Sequence, residues 1–259
     1  MLYKSSTIVL FSFAACLFAA RCGGGESGAV GGKDPLGENT TTTVHNYKVA
    51  TNDGGTEYYS SSWTGENKVV NGVSYPVGIM EDPSTAEKDG IEVWANLTEE
   101  SVEFAGGKVY WNSGGVAPPG EPFVSGALDQ PVVIALSPTV GEPQELKVKG
   151  SAVMGDPSDP SNPHAIDTTV TFTLVDDQAS VETEIGTVHD CKYFKASATV
   201  LGINLNADVR YNKQMGIVNA NVNWPPPNGI KLDLTSLTDA GGAKEGYNVV
   251  KAVSVLGPP

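Results

Sequence analysis

The chain is poor in the residues that usually announce chemistry. It has only 3 cysteines and 3 histidines in 259 residues. The histidines, His45, His164 and His189, are far apart, and none pairs with another at the spacing a helix or hairpin would use to hold a metal. No C-x-x-C occurs, so a zinc or thioredoxin-type motif is excluded. Positive charge is also scarce. Lys and Arg number 16 against 30 Asp and Glu, a formal charge of −14. A DNA- or RNA-binding surface neutralises phosphates with Lys and Arg, so nucleic acid is not an expected partner. Anionic lipid head groups are disfavoured for the same reason. Helical periodicity is missing too. No segment after residue 45 keeps a 3.6-residue apolar repeat over three turns, and the segment at 83–90 has room for one helical turn at most.

Two compositional features are plentiful. Gly (30) and Pro (17) suit many turns between short strands, and 40% hydrophobic residues suffice for a real core. The only long apolar run is at the N-terminus. Lys4 precedes TIVLFSFAACLFAA at residues 7–20, a secretory h-region too short to span a membrane comfortably. A cysteine closes this run, and two positions qualify as a lipidation site. Cys22 leads into GGGESGAVGG, a flexible tether, but has Arg21 before it; Cys16 follows Ala14 and Ala15 after a shorter run. Ordinary cleavage after the run, without lipid, is the third option. Gly23 stands where an inner-membrane retention Asp would, so an outer-membrane anchor is expected. The expected organisation is a signal segment at 1–22, a Gly/Thr-rich tether at 23–44 and an all-β domain at 45–259, with a possible seam near the Pro/Gly-rich 112–131.

From residue 45 onward the pattern has period two. Ile91, Val93, Ala95 and Leu97 alternate with Glu92, Trp94 and Asn96. The same alternation runs through 169–174, 181–185, 203–211, 218–224 and 230–234. Strands that bury one face and wet the other belong to antiparallel sheets. Turn signals at 51–56, 104–109, 175–178 and 201–204 predict hairpins. The expected fold is therefore all-β: one large curved antiparallel sheet, half-barrel or barrel-like, a meander with few or no helices.

The segment EIGTVHDCKYF at 184–194 gathers His189, Asp190 and Cys191. On a regular strand His189 and Cys191 share a face, about 7 Å apart at Cα. Nucleophilic catalysis also needs an oriented base and an oxyanion donor pair, and no glycine-rich elbow adjoins this segment. Cys191 therefore reads as a small core residue and no catalytic residue is expected. Asp156, Asp159 and Asp167 around the loop 155–164 could offer oxygens to Ca²⁺, but the interleaved prolines do not match the EF-hand loop, so a solvated loop is preferred and neither metal nor cofactor is expected. Trp94, on the polar face of its strand, and Tyr110 and Trp111, beside a Gly-rich loop, are the candidate ligand-binding aromatics.

The order of motifs YKVATNDGGTEYYSSSW, VVNGVSYPV, GIEVWANLTEESVEFAGG, PVVIALSPTVGE, VETEIGTVHDCKYFKAS and VRYNKQMGIVNAN resembles a broad set of Gram-negative surface lipoproteins of uncharacterised role. The resemblance rests on the segment from Gly186 to Cys191, on Tyr211 with Gly216 and Val218, and on the Pro138–Gly141 step. In outline these are similar to LolA-type half-barrels, in which one curved sheet forms an open apolar trough. The resemblance implies a non-enzymatic envelope lipoprotein that binds an apolar small molecule or an envelope protein. A carbohydrate-binding module using Trp94, Tyr110 and Trp111 is the alternative, and a carboxylate-dependent hydrolase is the less favoured third.

Overall fold

The computed structural model describes residues 43–50, 55–84, 89–98, 100–111, 120–154, 163–200, 203–213, 215–223 and 230–239. The expected signal segment, tether and candidate anchors Cys16 and Cys22 lie outside them.

Twelve antiparallel strands make one sheet: β1 (Thr43–Ala50), β2 (Thr56–Val70), β3 (Val73–Glu81), β4 (Asp89–Leu97), β5 (Ser101–Trp111), β6 (Val124–Ala135), β7 (Pro143–Met154), β8 (Pro163–Thr183), β9 (Gly186–Val200), β10 (Ile203–Asn212), β11 (Gly216–Val222) and β12 (Ile230–Asp239). Each pairs with its sequence neighbours, and β1 pairs with β12 from Thr43↔Asp239 to Ala50↔Lys231. The sheet is thus an antiparallel meander, as the period-two pattern predicted, and it closes into a barrel and not an open half-barrel. β5 and β6, on either side of the segment 112–119, pair with each other.

The alternation sets the faces. Val93, Ala95 and Leu97, then Val170, Phe172 and Leu174, then Ala207, Val209 and Tyr211 all point into one buried core. That interior is filled by large side chains, among them Trp63, Phe104, Met215 and Leu234. Outward residues are mostly polar, such as Glu145, Lys147 and Lys149 on β7 and Asn204 and Asn206 on β10, with Tyr58, Val69, Val133 and Val175 among the exposed apolar exceptions. A transmembrane barrel has the opposite arrangement, apolar outside and polar inside.

β1 pairs with β2 and β9 with β10, the antiparallel neighbours that the turn signals at 51–56 and 201–204 predict. Two others are corrected. The stretch 104–109 lies inside β5, where Phe104 and Gly106 sit opposite Ala95 and Trp94 in a bulge. Gly106 takes φ +152, and a Cβ there would lie 2.5 Å from the Gly126 carbonyl and 2.8 Å from the Trp94 ring. The glycine pair marks a close approach and not a turn. The stretch 175–178 is an irregular section of β8, with register shifts on both sides of Asp176. A turn that the hairpin reading passed over lies at Val70↔Val73. Asn71 (φ 50) and Gly72 (φ 82) form the two-residue loop that suits the sheet's twist.

The His189–Cys191 geometry is also corrected. Against Ala179 and Val181 of β8, three steps of β9 separate Val188 from Cys191, and Asp190 adopts φ 54. This one-residue bulge turns His189 out of register. His189 is exposed, with Nδ1 2.9 Å from the Ser180 hydroxyl. Cys191 is 0% exposed in the core, its Sγ 3.6 Å from the Val188 carbonyl oxygen. Burial first, then the Asp190 carboxylate, push its thiol up to about 11. The core reading of Cys191 holds.

Candidate functional site on the outer wall

A second cluster of buried apolar residues lies apart from the barrel core: Val70, Tyr75, Val77, Trp94 and Ala105. These residues belong to β2, β3, β4 and β5, and they pack together separately from the barrel core. The Asn71–Gly72 turn explains how they are covered. It lets the β2–β3 hairpin reach over the outer face, where the Asn71 amide donates to the carbonyls of Leu128 (2.9 Å) and Asp129 (3.0 Å) on β6. The hairpin thus roofs β4 and β5.

Beneath it lies a charged network. Glu92 and Trp94 are two apart on β4, so both point outward. The Trp94 indole N–H donates to Glu92 Oε1 at 2.8 Å. Lys108 pairs with Glu92 across the strands, its Nζ 3.0 Å from Oε1 and 3.2 Å from Oε2. The Tyr110 hydroxyl donates to Oε2 at 3.1 Å. Glu92 is only 9% exposed. Burial alone would raise its pKa. The donors from Trp94, Lys108 and Tyr110, with the Lys108 charge, outweigh that and hold the carboxyl below its ordinary value. Burial would lower Lys108, yet Glu92 drives it above the usual lysine value. Lys68 lies 5.2 Å from the Trp94 ring centroid and Lys108 6.0 Å, both within cation–π range.

Next to this network a cavity of about 150 Å³ opens between the hairpin tip and β5–β6. Val70, Val73, Ala105 and Leu128 form its apolar walls; Glu103, Asp129 and Gln130 supply polar groups. The Tyr75 hydroxyl donates to Glu103 at 3.1 Å, and burial, then Glu103, push that phenol up to about 12. Inside the barrel a smaller cavity of about 10 Å³ adjoins Trp63, Ser61 and Met80. It has room for about one water molecule.

Trp94 and Tyr110 meet around Glu92, but not as an exposed surface. They are 3% and 7% exposed, with their polar atoms committed to Glu92. The expectation of open stacking faces is corrected, because the hairpin roof and the two lysines cover them. Trp111 ends β5 opposite Asp89, and its side chain lies outside the described residues. Most of the candidate calcium loop, 155–162, is also outside them. Asp167 pairs with Lys149 at 3.4 Å, and no cluster of three metal-ligating side chains occurs among the described residues. Glu92, Lys108, Lys68 and Asn71 were not singled out from sequence. Their signal was a Glu-x-Trp on one strand facing a Lys-x-Tyr on the next, with an Asn-Gly turn upstream.

No family model matches the chain, and no curated protein does. Among solved structures, a "putative lipoprotein" of Parabacteroides distasonis aligns at 14% identity over 77% of this chain and 96% of its own, with a TM-score of 0.42. A "putative exported protein with YmcC-like fold" of Bacteroides fragilis aligns at 10% identity over 77% of this chain and 97% of its own, with a TM-score of 0.47. Likenesses of this size carry no inference about what this chain does.

Proposed function

We propose that the chain is an exported, lipid-anchored domain of the cell envelope, whose barrel stands in water and acts as a non-enzymatic binding module through its outer wall. One observation carries this reading: the apolar residues fill the barrel and the outward residues are mostly polar. A filled interior leaves no trough for an apolar cargo, and a polar wall does not suit a bilayer. Export and anchoring are supported by the Lys4-led apolar run ending near Cys16 and Cys22. The outer membrane is the proposed site of the anchor.

The test is fractionation with fatty-acid labelling. The wild type should take up label and sediment with membranes. Cys22→Ser should lose the label and appear in the soluble fraction. If Cys16→Ser alone has that effect, the anchor is Cys16. If the variant with both cysteines replaced still resists alkaline extraction from membranes, the barrel itself is embedded and the reading fails.

A further inference from the structure

The wall is not uniformly zipped. β6 and β7 pair only from Val124↔Met154 to Leu128↔Gly150. Beyond that point β6 stays paired to β5 through Val132, Val133, Ile134 and Ala135, and β7 stays paired to β8 from Pro143 through Lys149. Among the described residues, each strand therefore has a neighbour on one side and an unpaired edge on the other. Two edges face each other across a slit in the barrel wall.

Two local causes hold it open. The Asn71 side chain takes the carbonyls of Leu128 and Asp129, where the β6–β7 ladder stops. β6 also advances five residues, Ala127 to Val132, while β5 advances two, Gly106 to Phe104. The extra residues include Pro131, which has no N–H to give a ladder.

The slit is bridged at one place by a side chain. The Ala135 N–H donates to Gln144 Oε1 at 2.9 Å, and Gln144 Nε2 donates to the Ala135 carbonyl at 3.2 Å. That pair of bonds is what a neighbouring strand would make with Ala135. Alternation then sets the rest. Leu136 donates its N–H to Glu100, toward β5, so Ala135 and Val133 turn their backbone groups to the slit. The Val133 side chain is outward and 51% exposed.

We propose that this slit receives an extended peptide segment of a partner protein, which adds as a strand between β6 and β7 and replaces the Gln144 amide on Ala135. A bare strand edge is satisfied by another extended backbone, which selects this occupant over a small molecule. Side-chain chemistry is set by the flanks. Inward positions would lie beside Val132, Ile134, Leu146 and Val148 and call for apolar residues. Outward positions would lie beside Val133, Glu145, Lys147 and Lys149, where charges of both signs call for polar residues. The partner segment therefore alternates apolar and polar residues and lacks proline. This names the partner class of the outer-wall reading and rests on it.

The probe is a random nonapeptide phage library panned on the full chain in detergent, where loss of lipidation has no effect on the outcome. Enriched sequences should alternate as described. The best one, made synthetically, should bind with saturation, and N-methylation at alternate residues should weaken it at least tenfold. Gln144→Ala removes the bridging amide and should tighten binding severalfold. Val133→Pro removes an N–H at the slit and should abolish binding; its unfolding temperature reports whether it still folds. Absence of enrichment, enriched sequences without alternation, or indifference to N-methylation overturns the proposal. Self-association blocked by Gln144→Arg would make a second copy of this chain the occupant, and would also overturn it. Failure of Cys22 labelling, by contrast, strikes only the anchoring.

Discussion

Glu92→Gln tests the outer-wall network quantitatively. The substitution keeps the shape and one acceptor, but removes the charge on which Trp94, Lys108 and Tyr110 converge. Hydrogen bonds to a charged group are worth about 1.5–3 kcal/mol each, and one acceptor position survives in Gln. Breaking a buried ion pair costs about 3–5 kcal/mol. The pair is not fully dry: the Glu92 side chain is 11% exposed and the Lys108 side chain 26%. Solvent screening therefore places the loss near the low end, about 2–3 kcal/mol. For a domain of this size that is a fall of about 4–12 °C in Tm. The pH dependence follows from the sign of the shift. Glu92 titrates below its ordinary value when folded, so its contribution is fully present above the unfolded carboxyl value of about 4.3 and is lost as pH falls through the lower folded value. Calorimetry of both proteins should give the full gap at pH 7 and a narrower one at pH 3. A gap under about 1 °C at pH 7, or one that does not narrow in acid, refutes the network.

Two further outcomes follow from single side chains. Asn71→Gly keeps the left-handed turn and deletes only the amide that holds Leu128 and Asp129, so it should cost about 1–2 kcal/mol and speed hydrogen exchange at the β2–β3 tip without loosening β9 and β10. Cys191 should resist thiol reagents at pH 8 in the folded chain and react at once in denaturant, because its thiol is raised to about 11, and Cys191→Ala should cost about 1 kcal/mol; a native labelling rate near that of a free peptide thiol contradicts its burial.

The fold was legible because each strand alternates on its own. Val170, Phe172 and Leu174 announce their face without knowledge of any neighbour. Closure was not legible, because the pairing of β1 with β12 joins residues 43–50 to 231–239, and no local pattern encodes that distance. Bulges defeated the parity argument. Asp190 adds one residue to β9 and puts His189 and Cys191 on different sides, a conformation that Asp tolerates but does not require. Trp94 sat on the polar face as predicted. Its burial depends on a hairpin from another part of the chain folding back over it, so the exposed-aromatic expectation failed at the tertiary level and not at the strand level.

The account stands on a barrel that closes through β1 and β12 around a filled interior, since an open half-barrel would restore a trough for apolar cargo. Asn46 and Ser236 face each other across the β1–β12 junction, with Asn46 Nδ2 3.0 Å from the Ser236 hydroxyl. In a full chain with Cys16→Ser and Cys22→Ser, the pair Asn46→Cys and Ser236→Cys should form an intramolecular disulfide under mild oxidation, because facing strand residues lie within disulfide reach. Monomeric protein with both new thiols free, and labelled as fast as exposed cysteines, would show that β1 and β12 do not meet and would contradict the closed barrel.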